Sequence, residues 1–171
     1  MIFKVKMLEA ELVCMLVAAT LCHIIKYGQF LLQKKSKGLF GGGKWNGVGG
    51  KLKLNESPEE CVKREVFEET GLRVLDLKFH GILNFYFGDR RELDWVVHVF
   101  STTNFEGEPK PSEEGNLKWF DSEEIPYKEM WEDDKYWVPL LFKGQCFQGN
   151  FYFDEGGEKL LDFDLKRKIL N

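Results

Sequence analysis

The sequence predicts a mixed α/β fold, and three observations indicate it. The apolar run from Leu12 to Ile25 is typical of a buried strand, and the run 29–33 after a Lys-Tyr-Gly turn is typical of its hairpin partner. A helix with clear start and stop signals is predicted over residues 58–70. The chain has 171 residues, of which 43% are hydrophobic and 15% aromatic, and this is enough to fill the core of one domain.

The first apolar run resembles a membrane anchor or a signal peptide only in composition. It is too short to span a bilayer, and Glu9 and Glu11 precede it where a signal peptide carries net positive charge. We therefore expect no membrane association. Residues 1–11 are expected to form an N-terminal extension of unclear role, and residues 12–171 a single domain.

The helix prediction rests on the residues at its two ends. Ser57 suits the cap position, Pro58 the first helical position, and Glu60 the third, where its side chain can complete a capping box. Gly71 can adopt the left-handed conformation that ends a helix.

The last part of this helix carries Glu65, Glu68 and Glu69. Residues three and four apart share one helix face, so Glu65 is a neighbour of both other glutamates, and their like charges repel. Hard oxygen ligands at close quarters suit Mg²⁺ or Mn²⁺. The simpler alternative is an acidic helix face in contact with solvent.

The surrounding residues favour the metal site. From Gly50, five residues lead to Glu56 and seven more to Arg64, where the sequence continues as REVFEETGL. This spacing matches every position of the Nudix box over residues 50–72, so the chain resembles the Nudix hydrolases. The resemblance implies one Nudix domain with an α/β/α sandwich around a mixed, curved sheet. It also implies hydrolysis of a nucleoside diphosphate linked to another group, with Mg²⁺ as cofactor and Mn²⁺ as a possible substitute.

The same resemblance implies roles for individual residues. The implied metal ligands are Gly49 through its carbonyl, Glu65, Glu68, Glu69 and Glu114. Arg64 and Glu56 resemble a pair that braces the loop against the helix. Glu113 leaves the register of the ligand outside the box open by one residue. The general base is not assigned, since Glu65, Glu68 and Glu114 all qualify.

Two further segments resemble the oxidised-purine nucleoside triphosphatases, the 8-oxo-dGTP diphosphatases of eukaryotic type. They are KWNGVGG at 44–50 and WEDDKYW at 131–137, within a similarity that extends over about 17–164. The substrate-binding residues that this resemblance implies are Thr20, Asn46, Phe85, Trp131, Asp133 and Asp134. The implied activity yields a nucleoside monophosphate and pyrophosphate and removes oxidised nucleotides from the precursor pool.

These residue types have physical reasons to bind an oxidised purine. Asn46 can donate and accept at a purine edge, while Trp131 and Phe85 offer flat surfaces for stacking. Asp133 and Asp134 are adjacent carboxyls beside aromatic residues, so one can hold a proton and donate while the other accepts. The simpler alternative is an exposed Asp-Asp pair in a loop. The chain also departs from the pattern of that family at three positions. Leu39 is an apparent extra residue, Trp95 stands where members tend to have a smaller apolar residue, and Glu132 replaces a proline that is often found there.

Charge and cysteine content narrow the partners. A net charge of −4 argues against binding to a nucleic-acid polymer, but six lysines and no acid lie between Leu31 and Leu54. We expect this group to offset phosphate charge, with Lys35 as the best candidate to reach the substrate. Four cysteines without metal-type spacing predict buried thiols in the reducing cytoplasm. A small nucleotide is the expected partner of a monomeric protein.

Two other functions remain open at this point. The chain could cleave ADP-ribose or a dinucleoside polyphosphate, although these need room for a second nucleoside. It could also be a nucleotide-binding regulatory module without catalysis, but a lost glutamate or arginine in the box would be expected in that case, and the box is complete.

Overall fold

The computed structural model describes residues 16–88 and 92–168. The predicted extension 1–11 and the first residues of the predicted strand, 12–15, lie outside this part of the chain. The described strands and helices, in chain order, are β1 (Val17–Lys26), β2 (Gln29–Lys35), β3 (Trp45–Asn46), α1 (Pro58–Thr70), β4 (Arg73–Val74), β5 (Lys78–Phe87), β6 (Trp95–Thr102), β7 (Phe105–Glu106), β8 (Gly115–Asp121), α2 (Asp134–Phe142), β9 (Cys146–Phe153) and β10 (Leu160–Lys168).

One mixed sheet forms the centre of the fold. Its strand order is β10-β9-β5-β6-β1-β2-β3, and β8 also pairs with β2. The pairs β1 with β6 and β5 with β9 are parallel, whereas the other pairs of this sheet are antiparallel. A separate two-stranded sheet joins β4 to β7. The predicted mixed sheet is therefore confirmed.

The hairpin predicted near the N-terminus is present as β1 and β2. Lys26 pairs with Gln29, and the two residues between them, Tyr27 and Gly28, have φ values of 51° and 80°. Two successive positive φ values match the twist of a tight hairpin, and a glycine adopts them without strain.

Helix α1 begins and ends as the sequence predicts. The Ser57 hydroxyl accepts a hydrogen bond from the Glu60 backbone N–H, and the Glu60 carboxylate accepts one from the Ser57 N–H, so the capping box is complete. Gly71 ends the helix with φ 75°, and its N–H donates to the Phe67 carbonyl. These local bonds fix the direction in which the glutamates of α1 project.

The helices cover opposite faces of the sheet. Val62 and Val66 of α1 pack with Cys22 and Ile24 of β1 in one buried cluster. Successive strand residues face opposite sides, and His23 of β1 accordingly meets Trp137 of α2 on the other face, with ring centroids 5.6 Å apart. This arrangement is the α/β/α sandwich expected from the sequence. In the described ranges, no helix is both long and apolar enough to span a membrane.

Candidate active site

A cavity of about 410 Å³ lies between the start of α2 and the glutamates of α1. Its lining has a charged end and an aromatic end. The charged end contains Lys35, Gly49, Gly50, Glu65, Glu69 and Glu114. The aromatic end contains Phe40, Phe85, Phe87, Trp95, Trp131, Trp137 and Phe153, together with Thr20, Asn46, Asp133 and Asp134. The fold thus brings residues from many separate stretches of the chain to one place.

Lys35 connects the carboxylates at the charged end. Its Nζ lies 3.1 Å from Glu69 Oε1 and 3.6 Å from Glu114 Oε2. Glu114 lines the cavity, whereas Glu113 is exposed and uses its backbone carbonyl to accept from the Ser36 hydroxyl. Of the two residues that the sequence left open, Glu114 therefore faces the cavity.

Glu69 has an unusual electrostatic environment for a glutamate. Burial raises the pKa of its carboxyl to about 7, and the nearby charges of Glu65 and Glu114 act in the same direction. The Lys35 ammonium opposes this increase of the pKa. Glu69 can therefore exchange a proton close to neutral pH.

Arg64 organises the carboxylates on the outer side of α1. Its guanidinium donates to Glu56 through two nitrogens, to Glu65, and to Glu68 at 3.1 Å. The hydrogen bonds from Arg64 and from the Lys53 backbone N–H lower the pKa of Glu56 to about 2. Arg64, Glu56 and Glu68 do not line the cavity. Arg64 contacts a lining residue through its hydrogen bond to Glu65, whereas the Glu68 side chain would have to move to enter the cavity.

Two adjacent glycines permit the close packing around Glu65. A Cβ at Gly50 would lie 2.4–2.7 Å from the carboxyl atoms of Glu65. A Cβ at Gly49 would lie 2.1 Å from the backbone carbonyl oxygen of Thr20. Any side chain at these positions would push away either the carboxylate or strand β1.

The donor set at this end suits a hard divalent cation, because the groups implied by the sequence are carboxylate and carbonyl oxygens. Within residues 16–88 and 92–168, however, no three acidic, histidine or cysteine side chains are arranged as a ready-made metal site. Glu69 is turned towards Lys35, while Glu65 and Glu68 are turned towards Arg64.

At the aromatic end, the two adjacent aspartates are buried and have different donors. Asp133 and Asp134 are each 2% exposed. Asp133 Oδ2 accepts from Trp137 Nε1 at 2.8 Å, and Asp134 Oδ2 accepts from the Trp131 backbone N–H at 3.0 Å. This excludes the alternative of an exposed Asp-Asp loop.

Burial also changes how the two aspartates titrate. It raises the pKa of Asp133 to about 6. Burial raises the pKa of Asp134 well above the ordinary carboxyl range, and the charge of Asp133 raises it further. Burial and mutual repulsion therefore disfavour ionisation of both carboxyls at once, and the increase of the pKa is larger for Asp134 than for Asp133.

The other substrate-binding candidates surround this pair less uniformly. Phe85 lines the cavity and stacks on Phe151 with ring centroids 5.8 Å apart. Asn46 Oδ1 accepts from the Gly47 backbone N–H at 2.8 Å, which leaves its amide nitrogen and the second lone pair of Oδ1 to contact a ligand. The Thr20 hydroxyl is 3.5 Å from the Gly50 carbonyl oxygen, and this indicates that it also ties β1 to the loop.

The lysine group does not act as one surface. Of the six lysines between Leu31 and Leu54, Lys35 and Lys51 line the cavity. Lys34 pairs with Glu129 instead, and Lys53 lies 3.8 Å from Glu68. The expectation that these lysines collectively offset phosphate charge is therefore too broad.

Several cavity residues were not among the sequence candidates, and Phe40, Trp95 and Trp137 are three of the aromatic ones. Trp137 had a detectable signal, because it lies four residues after Asp133 on a helix and so falls on the same face. Trp95 and the loop before Phe40 stood out as departures from the family pattern, but nothing in the sequence indicated that the two rings would meet.

Three of the cysteines, Cys22, Cys61 and Cys146, are buried free thiols, and Cys14 lies outside the described residues.

Comparison with known proteins agrees with this architecture. A family model of the Nudix domain matches residues 15–141. The oxidized purine nucleoside triphosphate hydrolase of Danio rerio is 41% identical over 146 residues, which cover 85% of this chain and 92% of that protein. The protein of the same name from Mus musculus is 40% identical over 147 residues, covering 86% and 92%. The crystal structure of a MutT protein from Bacillus halodurans matches with a TM-score of 0.78 and 31% identity, covering 87% of this chain and 97% of that one. With a complete box on a capped helix, the same fold and relatives that align over most of its length, the chain belongs to the Nudix family.

Proposed function

We propose that the protein hydrolyses oxidised purine nucleoside triphosphates such as 8-oxo-dGTP to the monophosphate and pyrophosphate. The observation that carries the proposal is the single cavity with two different ends. Buried Asp133 and Asp134 lie among aromatic rings at one end, and Lys35, Glu65 and Glu69 lie at the other. A nucleotide has the same division into a flat base and a charged phosphate chain. The names of the relatives from Danio rerio and Mus musculus support the same substrate class.

The aspartate pair supplies base recognition in this proposal. Oxidation at C8 converts the N7 position of guanine from an acceptor into an N–H donor and adds a carbonyl acceptor. Ionised Asp133 can accept a hydrogen bond and protonated Asp134 can donate one, while Asn46 contributes its amide nitrogen. A site whose buried polar groups are satisfied by one base discriminates against a base that leaves them unpaired.

The phosphate chain would lie at the charged end. Lys35 can leave Glu69 and Glu114 to neutralise phosphate charge, since its ammonium is at the tip of a flexible side chain. Glu65, Glu68, Glu69, Glu114 and the Gly49 carbonyl would hold the divalent metal that members of this family generally need, typically Mg²⁺. When bound, this cation would polarise phosphate oxygens and help to deprotonate the attacking water.

The chain's own residues provide the remaining catalytic elements. Arg64 holds Glu65 on α1 and Glu56 in the loop before it, so that the Glu65 carboxylate beside Gly50 has a fixed direction. A carboxylate that is not fully engaged with the cation would take the proton of the water. Glu65, Glu68 and Glu114 remain the candidates for this base.

A hydrolysis screen tests the proposal. Purified protein with Mg²⁺ is incubated with 8-oxo-dGTP, dGTP, ADP-ribose and a dinucleoside polyphosphate, and the products are separated by ion-exchange chromatography. We expect 8-oxo-dGTP to have the highest kcat/KM, with pyrophosphate and not two successive orthophosphates as the second product. Faster cleavage of ADP-ribose or of the dinucleoside polyphosphate would overturn the proposal.

A second measurement separates catalysis from binding alone. The same screen with Mg²⁺ replaced by EDTA should show no turnover. Binding of 8-oxo-dGTP without hydrolysis under any divalent-metal condition would instead indicate a regulatory module.

A further inference from the structure

Phe40 is the middle ring of an aromatic stack at the mouth of the cavity. Its ring centroid lies 5.1 Å from that of Trp95 at an interplanar angle of 12°, and 5.3 Å from that of Trp131 at 29°. Both distances fall in the range of favourable offset stacking. Phe40 is nevertheless 63% exposed, and it is the most exposed aromatic residue of the cavity lining. It therefore covers the entrance and not the interior.

The groups that we propose to read the base lie deeper than Phe40. Asp133 and Asp134 are each 2% exposed. Trp131, proposed as the stacking surface, already carries the Phe40 ring on its indole. A base cannot stack on this indole face while the phenyl ring occupies it.

The other surroundings of the Trp131 indole are also filled. Lys44 Nζ lies 5.1 Å from the ring, and the Phe153 ring approaches edge-on at 6.2 Å. Gly41 lies so close that a Cβ on it would be 3.1 Å from the indole. A base that stacks on Trp131 must therefore displace one of these neighbours. Phe40 is the neighbouring ring that belongs to an exposed loop, and so it is the ring that can move away.

We call residues 36–44, which connect β2 to β3, the lid loop. Its ends are anchored, because the Ser36 N–H donates to Glu114 and the Gly43 N–H donates to Lys35, at 2.9 and 2.8 Å. The tip between them is closed by turn bonds within the loop, such as that from the Gly42 N–H to the Leu39 carbonyl at 2.8 Å. Glycines at 38, 41 and 43 have φ values of 95°, 74° and 85°. Glycine changes φ at low cost, and so these positions can serve as hinges.

We propose that Phe40 is a placeholder for the substrate base, and that the lid loop must swing outward before a base can stack on Trp131. This inference rests on the proposed function in that a purine enters this cavity and stacks on Trp131. Opening precedes recognition of the base, and therefore its cost reduces the affinity for every purine nucleotide by the same factor. Two stacking contacts favour the closed loop by about five- to a hundredfold.

Binding of reaction products without turnover tests the placeholder. Association of 8-oxo-dGMP and of dGMP is followed by stopped-flow tryptophan fluorescence in EDTA, for wild type and Phe40→Ala. We expect Phe40→Ala to raise the association rate constant and the affinity by about five- to a hundredfold, with the same factor for both nucleotides. Phe40→Tyr keeps an aromatic ring in the stack and should behave like wild type. Phe79→Ala is the matched control, because Phe79 is 45% exposed and packs against the Phe100 ring, at an interplanar angle of 56°, outside the cavity lining.

Weaker binding of both nucleotides by Phe40→Ala would overturn the inference, because it would make Phe40 a fixed wall of the base site. Unchanged binding would also overturn it, because the stack would then not control entry. If wild type binds 8-oxo-dGMP and dGMP equally well, the proposed preference for oxidised purines fails. An equal gain for both nucleotides in Phe40→Ala would still support the placeholder in that case.

Discussion

Arg64 donates two parallel hydrogen bonds to Glu56, from Nε to Oε1 at 2.6 Å and from Nη2 to Oε2 at 2.8 Å. Glu56 also accepts from the Lys53 backbone N–H at 2.8 Å. The loop before α1 is thereby fixed to the helix through one planar guanidinium. The same guanidinium reaches the Lys51 carbonyl at 3.2 Å, so that it holds the loop by its backbone as well.

Arg64→Lys should reduce activity although it conserves charge. An ammonium cannot form the paired bonds to Glu56 or the additional bonds to Glu65 and Lys51, and the loop loses its fixed position. We expect kcat/KM to fall by about ten- to a hundredfold, as small displacements at a reacting site do. Steady-state kinetics measure this, with Lys63→Arg, an exposed exchange on the same helix, as the control. Wild-type kinetics for Arg64→Lys would show that the brace is dispensable.

Glu69→Gln should abolish most metal-dependent turnover while it preserves the fold. The substitution exchanges a charged ligand for a neutral amide, and we expect the rate with Mg²⁺ to fall by at least about a hundredfold. Glu59→Gln, in the exposed first turn of the same helix, should leave the rate unchanged. A folded Glu69→Gln protein with wild-type rates would remove Glu69 from the metal site.

The same variant should change how stability depends on pH in metal-free protein. Burial raises the pKa of Glu69 from the ordinary 4.5 to about 7, so the folded protein retains this proton at pH values where the unfolded chain has lost it. Wild-type stability therefore declines relative to Glu69→Gln as pH rises from 4.5 to 7, by up to about 3 kcal/mol. Urea unfolding in EDTA at several pH values measures this. A constant difference between the two proteins would contradict the raised pKa.

Gly49→Ala and Gly50→Ala should fail in different ways. At Gly49 the new Cβ meets the Thr20 backbone carbonyl, which belongs to β1, and we expect reduced stability and poor folding. At Gly50 it meets the carboxyl of Glu65, the flexible end of a side chain. Gly50→Ala should therefore fold normally and lose activity, because Glu65 is pushed out of its position.

Thermal unfolding together with kinetics separates these two outcomes. Gly50→Ala should keep a melting temperature close to that of wild type, with kcat/KM lower by about tenfold or more. Equal destabilisation of both variants would show that Glu65 cannot move aside.

Asp133→Asn and Asp134→Asn should each impair hydrolysis of 8-oxo-dGTP more than that of dGTP. A missing hydrogen bond to a buried base group costs about 1–3 kcal/mol, or roughly ten- to a hundredfold in kcat/KM. The Mg²⁺ dependence should stay as in wild type, since the carboxylates of α1 are untouched. Equal losses for both substrates would indicate a structural role for the pair.

The pH profile provides a separate test of Asp133. Its carboxyl is ionised above its raised pKa of about 6 and takes up a proton as pH falls through that value. It then no longer accepts from the base, and we expect kcat/KM for 8-oxo-dGTP to decline below about pH 6. Asp133→Asn is neutral at every pH and should lack this decline. An identical acidic limb in wild type and variant would assign it to another group.

The charged end of the site could be predicted well because its signals are local. Ser57, Glu60 and Gly71 specify where α1 starts and stops, and the helical repeat then places the glutamates. The ion pairs were less accessible to prediction. That Lys35 would bridge Glu69 and Glu114 depends on the pairing of β2 with β8, which no short stretch of sequence encodes.

The aromatic end could be predicted only through resemblance. Asp133, Trp131 and Phe85 were expected there, but Trp95 was recognised only as a departure from the family pattern, and Phe40 was not singled out. The stacking of Phe40 on Trp95 joins the glycine-rich loop between β2 and β3 to the start of β6, and these two segments are far apart in the sequence. Such long-range contacts follow from strand order, and a single sequence gives little information on strand order beyond hairpins.

The cavity has a consequence for how this protein can diversify. Its charged end takes three of its six residues from one continuous stretch, the box at 50–72, whereas the aromatic rings of its other end come from five separated stretches that include β9, beyond the family match at 15–141. Exchanges such as Trp95 can therefore occur at the aromatic end without disturbing the carboxylates of α1. Substitutions at the aromatic end can thus alter which base the proposed site selects while the groups proposed to act on the phosphates stay in place.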